Sequence, residues 1–274
     1  MIFRTLFFLF VFLPFLVLVI PLQALVLALR LPFWNVFPRL FHRLGCIFLG
    51  LRVTVIGAPS HGRPTLLVSN HISWTDIIAI GAVADVTFVA KREVGEWFFV
   101  GFMADLQKTI YVDRTRRSDA GRTAEAMGRH MAGGNAVLLF AEGQSDIGTH
   151  VLPFRSALVG AAQHAMLAAG AGEVMIQPLT IAYTRLQGLP VSRNERSLIA
   201  WIKSKSVRQN IAEILTGPVK DVTVAFGTPR PLRETDNRKA VTKAAENEVR
   251  AMLVALNRGD SAGIAKTLAV KPNG

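Results

Sequence analysis

The sequence predicts an α/β domain, a mixed sheet flanked by helices, preceded by an N-terminal helical segment embedded in a membrane. Three observations carry this reading. The 274 residues are 51% hydrophobic and only 18% charged, against about 25% charged in an average soluble domain, and their mean hydropathy is +0.36. Much of the apolar excess sits in one uncharged stretch, Thr5 to Leu29. Beyond it, short β-branched or aliphatic runs alternate with helical ones, the pattern of an α/β layer fold.

The first segment, residues 1–50, is expected to be an anchor followed by an interfacial helix. A run of 18 or more apolar residues is enough to cross a hydrocarbon layer of about 30 Å, and Thr5 to Leu29 exceeds that length and the roughly 7 to 15 residues of a signal-peptide core. Pro14 and Pro21 would kink a spanning helix, so a bent hairpin dipping into one leaflet is as compatible as a single crossing. Trp34, Phe37, Phe41 and Phe48, interleaved with arginines, make a second amphipathic stretch. No Asp or Glu precedes Asp76, whereas Arg4, Arg30, Arg39, Arg43, Arg52 and Arg63 all do, out of a net charge of +12. The positive-inside rule then places the remainder of the chain in the cytoplasm. The lone cysteine, Cys46, excludes an internal disulfide and reads as a small buried hydrophobe.

Residues 51–256 are expected to form the domain. Arg52–Ile56 and Thr65–Ser69 read as strands around the turn-rich Gly57–Pro64, and Ser73 as the N-cap of a helix through Ile77–Ile80. Val86–Ala90, Ile110–Val112, Ala136–Phe140 and Val174–Ile181 read as further strands, with helices at Ala120–Met131 and Leu158–Ala169. A polar segment, Ser192–Gln209, leads to a last strand, Asp221–Phe226, and a charged helix, Lys239–Leu256; residues 257–274 read as a loosely ordered tail.

The informative string is Ser69-Asn70-His71-Ile72-Ser73-Trp74-Thr75-Asp76. Five steps of an ideal helix rotate by about 140°, so His71 and Asp76 share no helical face. A turn ended by Ser73 would instead fold the imidazole back beside the carboxylate, which could fix its tautomer while the other ring nitrogen takes a proton from a hydroxyl. Read in isolation, the same residues also suit a helix cap and a satisfied turn histidine.

In order along the chain, this string is followed by Lys91 in Phe88-Val89-Ala90-Lys91-Arg92-Glu93, by Ile110-Tyr111-Val112-Asp113-Arg114, by Phe140-Ala141-Glu142-Gly143, by Val151-Leu152-Pro153-Phe154-Arg155 and by Ile176-Gln177-Pro178-Leu179. With these motifs the chain resembles the lysophospholipid acyltransferase family of bacterial 1-acylglycerol-3-phosphate acyltransferases, over roughly Leu51 to Phe226. The resemblance implies a single glycerolipid-acyltransferase-like domain in which His71 is the catalytic base and Asp76 its orienting acid. It further implies that Asn70, Lys91, Arg114, Glu142, Gly143 and Arg155 form the acceptor site, Lys91, Arg114 and Arg155 offering charge to a phosphate. Ala141, Gln144, Ser145 and Lys108 depart from the family pattern, and they bear on the acceptor more than on the reaction.

The implied reaction moves a fatty acyl group from acyl carrier protein or coenzyme A, as substrate thioesters, to the hydroxyl of 1-acyl-sn-glycerol 3-phosphate, giving phosphatidic acid. Lyso-ornithine lipid is the alternative acceptor, and a catalytically inactive, membrane-anchored lipid-binding protein the alternative of another class. No cofactor, no metal site and no nucleic-acid partner is expected. Anionic membrane lipid is expected as a partner of the arginines, at the cytoplasmic face of a bacterial inner membrane. The remaining histidines, His42, His61, His130, His150 and His164, show no metal-ligand spacing. Gly143-Gln144-Ser145-Asp146-Ile147 fails the Gly-x-Ser-x-Gly pattern of a serine hydrolase at its last position, and no Gly-Lys-Ser/Thr phosphate loop occurs.

Overall fold

The computed structural model describes residues 2–60, 62–112, 119–132, 136–160, 163, 174–202, 204–233 and 235–270. The chain opens with one apolar helix, α1 (Ile2–Ala28, 27 residues), long and apolar enough to cross a membrane. Its Phe8–Phe12 stretch is wound as a wider π-helix. That stretch ends just before Pro14, whose ring would collide with the carbonyl of Phe10 in a regular helix, and the wider winding absorbs the conflict. The helix also runs through Pro21 without interruption.

A turn at Arg30 brings back α2 (Val36–Leu49). The two helices form a hairpin held by aromatic contacts, Phe12 with Phe41 at 5.6 Å and Phe8 with Phe48 at 5.3 Å. The buried stripe of α2 is His42, Gly45, Cys46 and Leu49, at helical spacing, and Gly50 ends it in the left-handed conformation with φ +68°. Burial pushes the Cys46 thiol up to about 12, in keeping with a packing role. Both ends of α1 touch the domain. The Arg4 guanidinium donates to the carbonyls of Leu215 (2.6 Å) and Gly217 (2.9 Å), and the Gln23 amide to that of Leu106 (2.7 Å).

The domain then lays down β1 (Leu51–Ile56), β2 (Thr65–Ser69), α3 (Thr75–Val83), β3 (Val86–Lys91), α4 (Phe98–Leu106), β4 (Ile110–Val112), α5 (Asp119–Ala132), β5 (Ala136–Phe140), β6 (Val174–Leu186), β7 (Leu189–Pro190), α6 (Val207–Thr216), β8 (Lys220–Phe226), β9 (Arg230–Leu232), α7 (Arg238–Asn257) and α8 (Ser261–Val270). They form a mixed sheet of order β1-β8-β6-β2-β5-β3-β4, with β7 and β9 also paired to β6. β2 is parallel to β5 and β6, and β3 to β5 and β4, while β8 is antiparallel to β6. The parallel strands therefore end along one edge, Ser69 beside Phe140 and Lys91 beside Val112. In open α/β sheets, ligands gather outside such carboxyl ends.

Alternation along the strands divides the core. Leu66, Val68, Val137 and Leu139 face α5 and α7, while Leu67, Leu138 and Phe88 face α2 and α3. Both faces are covered, which is why the strands read as continuous apolar runs. Pro178, inside the central strand β6, accepts at its carbonyl from Gly227 N (2.7 Å). Its nitrogen faces the same side, where pairing passes from Phe226 of β8 to Arg230 of β9, so the missing donor falls at a break in the ladder.

Three expectations are corrected, and one further helix is present: α4 carries no sequence signal of an amphipathic helix, because its outward face is aromatic and its segment lacks a polar stripe. β6 runs beyond Ile181 to Leu186. The end of the polar segment enters α6, whose Ser206 side chain accepts from Gln209 N (3.2 Å). Beyond Asn257 the chain forms α8, with Ile264 buried in the core, rather than a loose tail. The expected helix Leu158–Ala169 lies largely outside the described residues.

Candidate active site

The site sits at the carboxyl end of β2. His71 leaves that strand half-buried, and Asp76, in the first turn of α3, is fully buried. The turn between them brings the two side chains together: His71 Nδ1 donates to Asp76 Oδ2 at 2.8 Å. The same oxygen accepts from the backbone of Ile72 (2.6 Å) and Ser73 (3.0 Å). Asp76 Oδ1 accepts from the Tyr183 hydroxyl at 2.8 Å, which is itself 2.6 Å from Thr75 Oγ1. An acceptor-only carboxylate surrounded by donors assigns the imidazole proton to Nδ1 and leaves Nε2 with a free lone pair. The Phe140 ring stacks on the imidazole at 4.0 Å between centroids and fixes its plane.

The expected N-cap is corrected by this geometry. Ser73 Oγ is buried and has no hydrogen-bond partner among the described residues, and α3 starts at Thr75 without a side-chain cap. Asp76 reaches back to the N–H groups of residues 72 and 73 and so closes the turn that precedes the helix, while also holding His71.

Two residues expected to bind the acceptor instead face inward. Asn70 is buried and exchanges two hydrogen bonds with the backbone of Ile181, donating to its carbonyl (2.9 Å) and accepting from its N–H (3.0 Å). It ties the end of β2 to β6. Glu142 is also buried, and its oxygens accept from His71 N and Leu152 N, both at 2.8 Å. Burial pushes its carboxyl up to about 8, against the pull of those two N–H groups and with the charges of Asp146 and Asp76 adding to the rise. Glu142 thus positions the histidine loop from a buried site. Gly143 follows at φ +75°, a left-handed conformation glycine enters without steric cost, and donates to Phe140 O at 3.1 Å.

Lys91 is exposed at the end of β3, and Arg155 is exposed with its N–H on Ala141 O at 2.9 Å. Both stand on the strand-end side of the sheet. Arg114 lies outside the described residues. Further backbone bonds close the loops around His71: Asp146 N to His71 O (2.9 Å) and Trp201 N to Ile72 O (3.0 Å). The Ser145 hydroxyl donates to the Trp201 carbonyl. Among the described residues no cluster of three His, Cys, Asp or Glu could hold a metal ion.

The sequence reading missed Tyr183, Thr75, Phe140 and Asp146. Tyr183 carried a usable signal, since a tyrosine in an otherwise aliphatic buried strand needs a partner for its hydroxyl. Burial, followed by the nearby Asp76 charge, holds its phenol well above the ordinary range, so it stays an O–H donor.

The matching family model, "Acyltransferase", covers residues 52–182. The chain is 40% identical to a lyso-ornithine lipid O-acyltransferase of Brucella abortus over 85% of its length and 88% of that protein's. It is 37% identical to a lyso-ornithine lipid O-acyltransferase of Rhizobium meliloti, over 90% of its length and 84% of the relative's. Among solved structures, the 1-acyl-sn-glycerophosphate acyltransferase PlsC of Thermotoga maritima matches the fold with a TM-score of 0.58, at 21% identity over 80% of this chain and 77% of that one.

Two tests follow from the geometry. Tyr183→Phe leaves Asp76 Oδ1 and Thr75 Oγ1 buried with one partner fewer, which costs roughly 1–3 kcal/mol of stability. Steady-state kinetics should show kcat reduced about tenfold with KM unchanged; an unchanged kcat would show that Oδ1 needs no donor. Between 4.5 and about 8 the folded chain keeps the Glu142 proton that the unfolded chain has lost, so this group's contribution to stability falls as pH rises. Glu142→Gln removes that slope, so thermal melts taken across this range should fall less with pH than those of wild type. Parallel slopes would contradict the assignment.

Proposed function

The chain belongs to the acyltransferase family and is an O-acyltransferase of lysolipids; we propose that its acceptor is lyso-ornithine lipid and that His71 is its general base. The observation that carries the mechanism is the imidazole clamped by Asp76 at 2.8 Å, with Nε2 directed away from the clamp. Nε2 takes the proton of the acceptor hydroxyl as its oxygen attacks the thioester carbonyl carbon. The tetrahedral intermediate collapses with cleavage of the C–S bond, and the imidazolium returns the proton to the departing thiolate of acyl carrier protein or coenzyme A. Asp76 stabilises the cation in between without changing place. No covalent enzyme intermediate is required.

The acceptor follows from the relatives and from one side chain. The two lyso-ornithine lipid acyltransferases align with nearly the whole chain. In the loop that carries Glu142, the family pattern often has an arginine where this chain has Ser145, and the next residue is Asp146, bonded through its N–H to His71 O. Asp146 Oδ2 has no hydrogen-bond partner among the described residues, with His150 Nδ1 3.6 Å away. A carboxylate there favours an ammonium-bearing headgroup such as ornithine over a phosphate. Lys91 and Arg155 supply the charges that would suit 1-acyl-sn-glycerol 3-phosphate, and this acceptor is the second reading.

The hairpin supports a one-sided membrane attachment. Arg4 and Gln23 are roughly 28 Å apart along a helix of 1.5 Å rise per residue, yet both donate to domain carbonyls. A perpendicular crossing would strand Arg4 beyond a hydrocarbon layer of about 30 Å. On this reading α1 lies along the domain within one leaflet at the cytoplasmic face of the bacterial inner membrane, and the exposed Arg30 at the hairpin turn faces anionic lipid, whereas Arg4, Arg39 and Arg43 are bonded within the protein.

Purified wild type and His71→Ala, assayed side by side with lyso-ornithine lipid and lysophosphatidate and either thioester, test the reading. Wild type should acylate lyso-ornithine lipid preferentially, and His71→Ala should lose about a hundredfold or more in rate. Preference for lysophosphatidate would overturn the acceptor alone, whereas full activity of His71→Ala would overturn the mechanism.

A further inference from the structure

The helix α4 exposes an aromatic face that neither the reaction nor the core uses. Phe98 is 96% exposed and Phe99 58%, and Val100 and Phe102 are exposed beside them. The helix is nevertheless held firmly from beneath. Gly101 packs so closely on the Gly95 carbonyl that an added Cβ would lie 2.1 Å from its oxygen, and the Tyr111 hydroxyl bonds Gly101 O (3.2 Å) and Asp105 Oδ1 (2.8 Å). A rigid mount for exposed phenylalanines indicates a surface meant to be covered.

Two neighbours say what covers it. On one side, α4 packs against α1, with Gln23 donating to Leu106 O, and the two helices share a small cavity of about 30 Å³ lined by Val19, Ile20, Met103 and Leu106. Away from that contact α1 carries its own exposed apolar stripe, Leu18, Leu22, Leu25 and Leu29 at helical spacing, so α4 is held against a helix that is itself apolar on its open side. On the other side, Trp97 at the start of α4 meets Trp201 at 6.1 Å, and Trp201 is bonded to Ile72 O beside His71. The exposed charges next to this face, Lys91 and Arg92 against Glu93 and Glu96, give it no strong sign, unlike a surface built for a highly charged protein partner.

We propose that the aromatic face of α4 inserts into the same lipid leaflet as α1, a second lipid-embedded element that sets the depth of the His71 mouth at the bilayer surface. A lysolipid then presents its hydroxyl to Nε2 while its acyl chain stays among lipid tails. The inference rests on the one-leaflet reading of α1, and the test separates the two.

In a Cys46→Ala background of the full chain, single cysteines at Phe98, at Leu25 of α1 and at Lys239 of α7, across the sheet, are labelled with an environment-sensitive fluorophore. They are mixed with vesicles of phosphatidylcholine and phosphatidylglycerol. Positions 25 and 98 should both shift to the blue and be quenched by acyl-chain spin-labelled lipid, while 239 does not respond. A response at 25 but not at 98 overturns this inference alone, and silence at 25 overturns the leaflet reading with it. A shift at 98 caused by acyl carrier protein, without one caused by vesicles, replaces the lipid by a protein partner. The double variant Phe98→Ser/Phe99→Ser should lose about tenfold or more in activity on vesicle-embedded lysolipid and none on detergent-dispersed lysolipid. Equal losses in both assays, or no loss in either, would contradict the proposal.

Discussion

The carboxylate of Asp76 is the interaction on which the rest of the site depends. A fully buried carboxylate is tolerated only when its lone pairs are satisfied, and this one accepts from His71 Nδ1, Ile72 N, Ser73 N and the Tyr183 hydroxyl. Those four bonds do separate jobs. The first fixes the imidazole, the next two close the turn from β2 into α3, and the last joins α3 to the central strand β6. The packing that keeps water from Asp76 continues outward, since α3 is covered by α2, where the His42 ring lies against Gly81 so tightly that a Cβ would sit 2.3 Å from it. The membrane hairpin and the base are thus connected through one helix.

Much of this architecture was legible in the sequence for a physical reason. Strands buried on both faces are continuous aliphatic runs, and β2, β4 and β5 begin and end where their composition changes. The pairing of His71 with Asp76 could be anticipated because a helical spacing of five forbids it and a turn permits it. What could not be read were groups whose function depends on distant partners. Tyr183 is 107 residues from Asp76, and Glu142 is 71 from His71. The family resemblance implies acceptor-binding roles for Asn70 and Glu142; in the structure both are buried and bonded to backbone, Asn70 to Ile181 and Glu142 to His71 and Leu152, so they act as braces. The serine expected to cap α3 makes no cap bond; the ordering of this turn comes instead from Asp76, whose carboxylate reaches back to Ile72 N and Ser73 N with charge-assisted bonds.

The sheet edge and the membrane surface are arranged around the same point. Parallel strands end together at His71, Glu142 and Lys91, and the apolar elements α1 and α4 flank that edge rather than the opposite one. Of the arginines that precede the first acidic residue, Arg4, Arg30, Arg39 and Arg43 sit on the hairpin, while Arg52 lies in β1 and Arg63 in the loop before β2.

The central claim is that Asp76 assigns the imidazole proton to Nδ1 and frees Nε2 for the acceptor hydroxyl. Nitrogen-15 NMR of histidine-labelled protein tests it most directly, with the His71 signals identified by their absence from His71→Gln. The account predicts a neutral ring protonated at Nδ1 and bare at Nε2. A ring protonated at Nε2 and bare at Nδ1 would contradict it.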